Sequence, residues 1–120
     1  MVDKAIYEQV HQWMEAHKEN MIHDIQRIVR IPSISNPLEE VKPFGAACRQ
    51  AMDEMLQIGR EHGFYTENYE YYVGSIGEKE KNWDDMIGFW NHLDVVPVGE
   101  GWDFEPFGAT RKGDLLIGRG

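Results

Sequence analysis

The chain has 120 residues and a formal net charge of −9, enough length for one domain or a part of one. Asp and Glu number 21 against 12 Lys and Arg, which argues against a nucleic-acid partner because affinity for a phosphate backbone depends mainly on basic side chains. No apolar run approaches the roughly 18 residues that cross a bilayer, and a single cysteine excludes an intrachain disulfide, so we expect a cytoplasmic protein with no membrane partner.

Two amphipathic helices are predicted in the first half of the chain. The first covers about the first thirty residues, with apolar side chains at a period near 3.6, Asp3 as its N-cap and Pro32 ending it. The second is predicted over 44–62, and Gly63 is expected to end it because glycine enters the left-handed region freely. Cys48 lies on the apolar stripe of this helix and is interpreted as a core residue.

The second half of the chain predicts strands. Residues 64–69 and 71–76 are rich in aromatic and β-branched side chains, which favours two strands. Residues 86–93 form a nearly continuous apolar run, typical of a strand buried on both faces. Residues 109–111 and 115–118 are predicted to pair as a short hairpin. Two helices followed by a mixed sheet indicate the α/β class.

The segment that follows the apolar run carries the chemistry. His92 and Asp94 are two residues apart, and alternate residues of a strand point to the same side, so the carboxylate is expected near the imidazole. Both would emerge at the carboxyl end of the strand, where α/β folds bind ligands. A neutral imidazole is a good zinc ligand, and a nearby carboxylate can fix its tautomer. The pattern is short, and a purely structural pair is the alternative.

The surroundings of His92 form a longer and more specific pattern. Four elements follow one another in order: His-Leu-Asp-Val-Val-Pro at 92–97, Gly-Glu-Gly-Trp at 99–102, Pro-Phe at 106–107 and Gly-Arg-Gly at 118–120. Together they resemble the zinc-dependent exopeptidase family, which contains aminoacylases, succinyl-diaminopimelate desuccinylases, glutamate carboxypeptidases and carnosinase-like dipeptidases.

Two earlier segments extend the resemblance over nearly all of the chain. Arg-Ile-Pro-Ser at 30–33 and Pro-Phe-Gly at 43–45 are similar to the bacterial dipeptidase V branch of that family. The resemblance implies a three-layer α/β/α sandwich, of which residues 1–120 would be the N-terminal portion of the catalytic domain. The rest of that domain and the lid domain are expected to lie outside these residues.

The resemblance also implies roles for His92 and Asp94. In the family the histidine of His-x-Asp ligates one of two zinc ions, with manganese or cobalt as substitutes, and the aspartate supports the site. The bridging aspartate, the Glu-Glu pair and the other ligands of the family are not among the 120 residues. Because a catalytic zinc usually has three protein ligands, we expect this chain alone to be inactive, and the absence of any bound zinc in it is left open. Members of the family usually carry glycine immediately before this histidine, whereas this chain has Asn91. Glycine allows a close backbone approach, so the difference concerns the local geometry beside His92.

The family contains several activities, so alternatives stay open. The expected reaction of the full-length protein is hydrolysis of a dipeptide amide bond at a dinuclear zinc site. A deacylase or desuccinylase acting on an N-acyl amino acid is the second possibility, and a non-catalytic truncated module is the third. An unpaired sheet edge also predicts a homo-oligomer. No substrate-binding residue is assigned.

Other polar residues are interpreted as structural. Six residues turn a helix by about 600°, so the three histidines of the first helix, namely His11, His17 and His23, point to different faces. His62 is explained by the dipole at a helix C-terminus. Asp84 and Asp85 belong to a charged surface loop over 77–85. Trp102 is expected either to line a substrate cleft or to be buried at the base of a loop.

Overall fold

Two helices precede two β-hairpins in the computed structural model, which describes residues 3–79 and 85–120. The elements are α1 (Lys4–Val29), α2 (Ala46–Glu61), β1 (Tyr65–Tyr69), β2 (Val73–Gly77), β3 (Thr110–Lys112) and β4 (Leu115–Ile117). The mixed α/β class is confirmed and is compatible with the N-terminal part of an α/β domain. The strands form two separate antiparallel pairs, β1–β2 and β3–β4, and not one mixed sheet. Tight turns join each pair, and such turns permit only antiparallel neighbours.

Helix α1 begins and ends close to its predicted limits. The Asp3 carboxylate caps the helix by accepting the Ala5 backbone N–H at 3.0 Å. The helix stops before Pro32, as expected. None of its residues is fully buried, and Val10 and Trp13 of the apolar stripe are 52% and 62% exposed. The apolar side chains in the first half of α1 are therefore exposed, and no part of the chain that the structure describes covers them.

Ion pairs join the last turns of α1 to α2. The Arg27 guanidinium donates to Glu54 Oε1 at 2.6 Å and to Glu61 Oε2 at 2.5 Å. The His62 Nε2 atom lies 2.7 Å from Asp24 Oδ2. The hydrogen bond from His62 is the main reason that the pKa of Asp24 is lowered, and the one from Arg27 likewise lowers the pKa of Glu61. His62 thus has a direct acidic partner in addition to the helix dipole that its position suggests.

Helix α2 provides most of the buried core, and its end has the expected geometry. Its fully buried residues, which face β1, β2 and α1, are Ala51, Leu56, Ile58 and Gly59. Gly63 adopts a φ of 83° and donates to the Arg60 carbonyl at 2.9 Å, while the Phe64 N–H donates to the Gly59 carbonyl at 2.9 Å. These two bonds are those of a Schellman motif, so the predicted glycine C′ position is confirmed.

Side-chain hydrogen bonds link α1 to the hairpin formed by β3 and β4. Its two strands pair as predicted, and in the observed register Thr110 lies opposite Ile117. The Arg111 guanidinium makes two hydrogen bonds to the Glu19 carboxylate, at 2.6 and 3.0 Å. The Gln26 side-chain amide donates to the Ala109 carbonyl at 2.9 Å. The middle of α1 and the second hairpin are held together in this way, although they are far apart in sequence. No helix in residues 3–79 or 85–120 is long and apolar enough to cross a bilayer.

Candidate functional site

The segment that holds His92 and Asp94 lies beside the chain that leaves α1. Val95 forms an isolated parallel bridge with Ile34, and its N–H donates to the Ser33 carbonyl at 3.0 Å. The Ser33 hydroxyl donates to the Leu93 carbonyl at 2.6 Å. The chain after Pro32 is therefore the element that holds this segment in place.

The prediction of a buried strand over 86–93 is wrong for this structure. Ile87, Phe89 and Trp90 are 83%, 87% and 89% exposed, and β-type backbone pairing in this part of the described chain begins only at Val95. An apolar run indicates burial, but a strand also needs a neighbouring backbone to complete its hydrogen-bond ladder. None of the described residues provides that neighbour for 86–93. His92 and Asp94 consequently lie in a segment without regular secondary structure and not at a strand end.

The imidazole of His92 and the carboxylate of Asp94 are close together, as the spacing predicts. His92 Nδ1 lies 2.8 Å from the backbone carbonyl oxygen of Asp94 and 3.4 Å from its Oδ1. The tautomer that donates from Nδ1 to the carbonyl leaves the lone pair on Nε2, and no hydrogen bond within residues 3–79 and 85–120 occupies that atom. The side chains of His92 and Asp94 are 84% and 55% exposed. The pair therefore offers one accessible nitrogen donor and one accessible carboxylate.

The donor set around His92 fits part of a zinc site. Imidazole nitrogen and carboxylate oxygen are both common zinc ligands. The described residues contain no cluster of three or more His, Cys, Asp or Glu side chains able to hold a metal ion. A catalytic zinc usually takes three protein ligands, so His92 and Asp94 can contribute to such a centre but do not complete it.

The single cysteine, Cys48 on α2, contacts Ser33, the residue that is bonded to the donor segment. Cys48 Sγ is 3.4 Å from the Ser33 carbonyl oxygen, and the side chain is half-buried on α2. Burial is the main reason that the pKa of the Cys48 thiol is raised, and the negative charges of Asp94 and Glu39 add to it. The neutral thiol is thus favoured, which agrees with the interpretation of Cys48 as a packing residue.

A loop after the site is closed by Trp102 and Arg119. The Trp102 indole N–H and an Arg119 Nη–H both donate to the Val98 carbonyl, at 2.7 and 2.8 Å. The guanidinium carbon of Arg119 lies 5.0 Å from the centroid of the Trp102 ring, and the Arg119 N–H donates to the Pro106 carbonyl at 2.7 Å. Trp102 therefore sits at the base of the loop, one of the two positions expected for it.

Arg119 has a role that the sequence interpretation did not assign. Its flanking Gly118 lies where a side chain would collide with Val29 and approach the Pro106 carbonyl oxygen to 3.2 Å. Gly118 therefore lets the backbone lie close to Val29 at the end of α1. The next residue, Arg119, extends its guanidinium to the Val98 carbonyl at the base of the loop. The signal for this role was the joint presence of an arginine and a tryptophan in two separate motifs, since such side chains often stack.

The other candidate positions are dispersed. Within α1, His11 stacks on Tyr7, and His17 stacks on Trp13 with ring centroids 4.1 Å apart. His23 lies 3.7 Å from Asp24. Asp84 and most of the charged loop predicted over 77–85 lie outside the described residues. The structure thus brings together His92 and Asp94, and it adds Ser33, which is bonded to the residues on either side of Asp94. Trp102 and Arg119 meet at the Val98 carbonyl, in the loop that follows the site.

Comparison with known proteins finds curated bacterial relatives, whereas no family model matches the chain. "Putative dipeptidase YtjP" of Bacillus subtilis is 36% identical over 105 residues, which cover 86% of this chain and 22% of the relative. Proteins named putative dipeptidases from Staphylococcus haemolyticus and Staphylococcus aureus are 35% and 32% identical, over 90% and 89% of the chain.

These matches include the candidate site. A match over 86% of 120 residues contains residues 92–94 wherever it begins. The chain spans only 22% to 24% of the length of these three relatives. The relatives support a dipeptidase family for this chain, which is similar in sequence to less than a quarter of each of these proteins.

Proposed function

We propose that the protein containing this chain is a zinc-dependent dipeptidase, and that residues 1–120 form the N-terminal portion of its catalytic domain. The observation that carries the proposal is the similarity to proteins named "putative dipeptidase" over a region that includes His92 and Asp94. The accessible Nε2 of His92 and the neighbouring carboxylate of Asp94 support a metal-binding role for this region.

His92 would hold the metal through Nε2, and Asp94 would support the site. The Asp94 carbonyl orients the imidazole by accepting the Nδ1 proton, and the Asp94 carboxylate adds negative charge 3.4 Å from the same nitrogen. Such contacts fix the tautomer and the ring orientation of a ligating imidazole. A zinc ion held there would supply Lewis-acid chemistry for amide hydrolysis, and His92 would be one of the residues that hold it. The other ligands and the general base would come from residues outside this donor pair.

The proposal includes the expectation that residues 1–120 by themselves do not hydrolyse dipeptides. Two donors fall short of the three protein ligands that a catalytic zinc usually requires, and hydrolysis also needs a general base. Turnover of a dipeptide by purified residues 1–120 with added Zn²⁺, above the level of a His92→Ala control, would contradict this expectation.

The direct test uses the protein encoded by the complete reading frame. Purified protein is assayed with a dipeptide, an N-acetyl amino acid and an N-succinyl amino acid, with Zn²⁺ or Mn²⁺ and after chelation. We expect metal-dependent hydrolysis of the dipeptide, and a loss of at least about 100-fold in kcat/KM for His92→Ala, because removal of a ligand should exceed the effect of removing its supporting groups.

A matched control and two contrary outcomes make the test decisive. His23→Ala removes an exposed histidine from α1, with 66% of its side chain accessible, and should retain wild-type activity. Hydrolysis of the dipeptide by His92→Ala at the wild-type rate would refute the metal role of His92. Hydrolysis of the N-acyl amino acids alone would replace the dipeptidase with a deacylase of the same family.

A further inference from the structure

Ser33 lies where three segments of the chain meet. It is buried, with 2% of its surface exposed, and it immediately follows Pro32 in the chain that leaves α1. Its N–H donates to the Ile31 carbonyl at 2.8 Å. Its carbonyl oxygen accepts from Val95 and faces Cys48 Sγ of α2, and its hydroxyl donates to Leu93. Every polar group of Ser33 therefore has a partner, and two of these partners flank Asp94.

The two bonds from Ser33 to this segment act on the two peptide units that contain Asp94. The Leu93 carbonyl, which accepts from the Ser33 hydroxyl at 2.6 Å, shares a planar peptide unit with the Asp94 N–H. The Val95 N–H, which donates to the Ser33 carbonyl at 3.0 Å, shares a peptide unit with the Asp94 carbonyl. Ser33 thus orients the backbone on both sides of the Asp94 side chain.

The second of these peptide units also orients His92. The Asp94 carbonyl is the acceptor that lies 2.8 Å from His92 Nδ1. A change in the plane of this peptide unit would move the acceptor, and with it the direction in which Nε2 points. Because the preceding segment is exposed and unpaired at Phe89 and Trp90, it offers His92 little orientation of its own.

We propose that Ser33 is a positioning residue for the metal site, acting through the backbone around Asp94 on both the carboxylate and the imidazole. The inference rests on the proposed function, since it assumes that His92 binds the metal. It adds a residue 60 positions away in sequence, whose hydroxyl and carbonyl form a two-point clamp on the donor segment. The contact with Cys48 makes this clamp continuous with α2.

The test compares Zn²⁺ affinity among four variants of the complete protein, measured by isothermal titration or by competition with a chelating dye. Ser33→Ala should bind Zn²⁺ about tenfold more weakly, the lower range seen when a group that supports a metal ligand is removed. Ser33→Thr keeps the hydroxyl and should recover most of that affinity. Ser35→Ala is the matched control, because Ser35 is a nearby exposed serine. His92→Ala should lose far more affinity than any of the serine variants.

The outcomes separate the inference from the proposed function. Wild-type Zn²⁺ affinity in Ser33→Ala, with loss in His92→Ala, would overturn the role of Ser33 and leave the metal site intact. Wild-type affinity in His92→Ala would overturn the proposed function itself. Equal losses in Ser33→Ala and Ser33→Thr would also count against a role for the hydroxyl.

Amide hydrogen exchange keeps the inference testable if Ser33→Ala does not fold. In the wild-type protein the Val95 amide, bonded to the Ser33 carbonyl, should exchange more slowly than the amide of the neighbouring exposed Val96. Equal, fast exchange at both amides would show that the clamp is not formed and would overturn the proposal.

Discussion

The Val98 carbonyl oxygen accepts hydrogen bonds from both Trp102 and Arg119. We therefore expect that either donor alone keeps this carbonyl satisfied, so that losing both costs more free energy of unfolding than the two single losses added together. Trp102→Phe removes the indole N–H but keeps an aromatic ring for the guanidinium to stack on. The lost hydrogen bond should cost about 1 kcal/mol of the free energy of unfolding, because the Arg119 bond at 2.8 Å still satisfies the carbonyl. Arg119→Met removes a charged donor and the stacking contact, and about 2 kcal/mol is expected.

The double variant tests the shared acceptor. Only when both donors are absent does the half-buried Val98 carbonyl lose its side-chain partners, and an unsatisfied polar group adds roughly 1 kcal/mol to the cost. The double variant should therefore lose about 4 kcal/mol, which exceeds the sum of the single losses by about 1 kcal/mol.

The cycle is measured by urea unfolding of the four proteins, followed by circular dichroism so that the loss of a tryptophan does not change the signal. Midpoints are compared at a common m-value. Independent sites add within about 0.5 kcal/mol, so a double variant whose loss equals the sum of the two singles would refute the shared-acceptor reasoning. A smaller loss than the sum would show that ring stacking dominates the contact.

Three further predictions concern the helices. Leu56→Ala should lower the free energy of unfolding by about 3 kcal/mol, because the side chain is only 4% exposed and leaves a cavity; a loss below about 1 kcal/mol in urea unfolding would contradict its core role. Gly63→Ala should cost about 1 kcal/mol at its φ of 83°, whereas the control Gly77→Ala, which meets no neighbouring atom within 4 Å, should cost less. The pKa of Asp24 is lowered in the folded state by His62, so its contribution is present above the unfolded-state value and is lost as the pH falls through the folded-state value. Asp24→Asn should therefore reduce the free energy of unfolding at pH 7 by about 0.5 kcal/mol for a partly solvated pair, and this loss should shrink as acid titrates Asp24 through its lowered folded-state pKa; a loss that does not shrink down to the acid limit of folding would exclude this linkage.

Local sequence signals accounted for most of the secondary structure. The Asp3 cap, the end of α1 before Pro32 and the left-handed Gly63 depend on residues within one or two turns, and all three are confirmed. The two hairpins are likewise local, because each strand pairs with its neighbour through a tight turn. The apolar run over 86–93 failed as a strand because pairing depends on a second backbone, which no local pattern specifies.

The candidate site divides in the same way between local and long-range determinants. The two-residue spacing of His92 and Asp94 limits the distance between their backbones in any fold. Their side chains were predicted to meet from the alternation of a strand; they do meet, although the segment before them is not a strand. The surrounding contacts could not be predicted in this way, since Ser33 reaches Leu93 across 60 positions and Arg119 reaches Val98 across 21.

The sequence by itself determined the helices, the turns and the short spacing between His92 and Asp94. It also carried the resemblance to the zinc-dependent exopeptidase family, from which the proposed chemistry comes. Only the tertiary structure decided which distant residue bonds the backbone around His92 and Asp94. Such hydrogen bonds depend on how the chain after Pro32 packs between α2 and this segment. The tertiary structure also decided that burial on α2 raises the pKa of the Cys48 thiol and that Trp102 and Arg119 share one carbonyl. The orientation of His92 is thus a property of the fold, whereas its presence beside Asp94 is a property of the sequence.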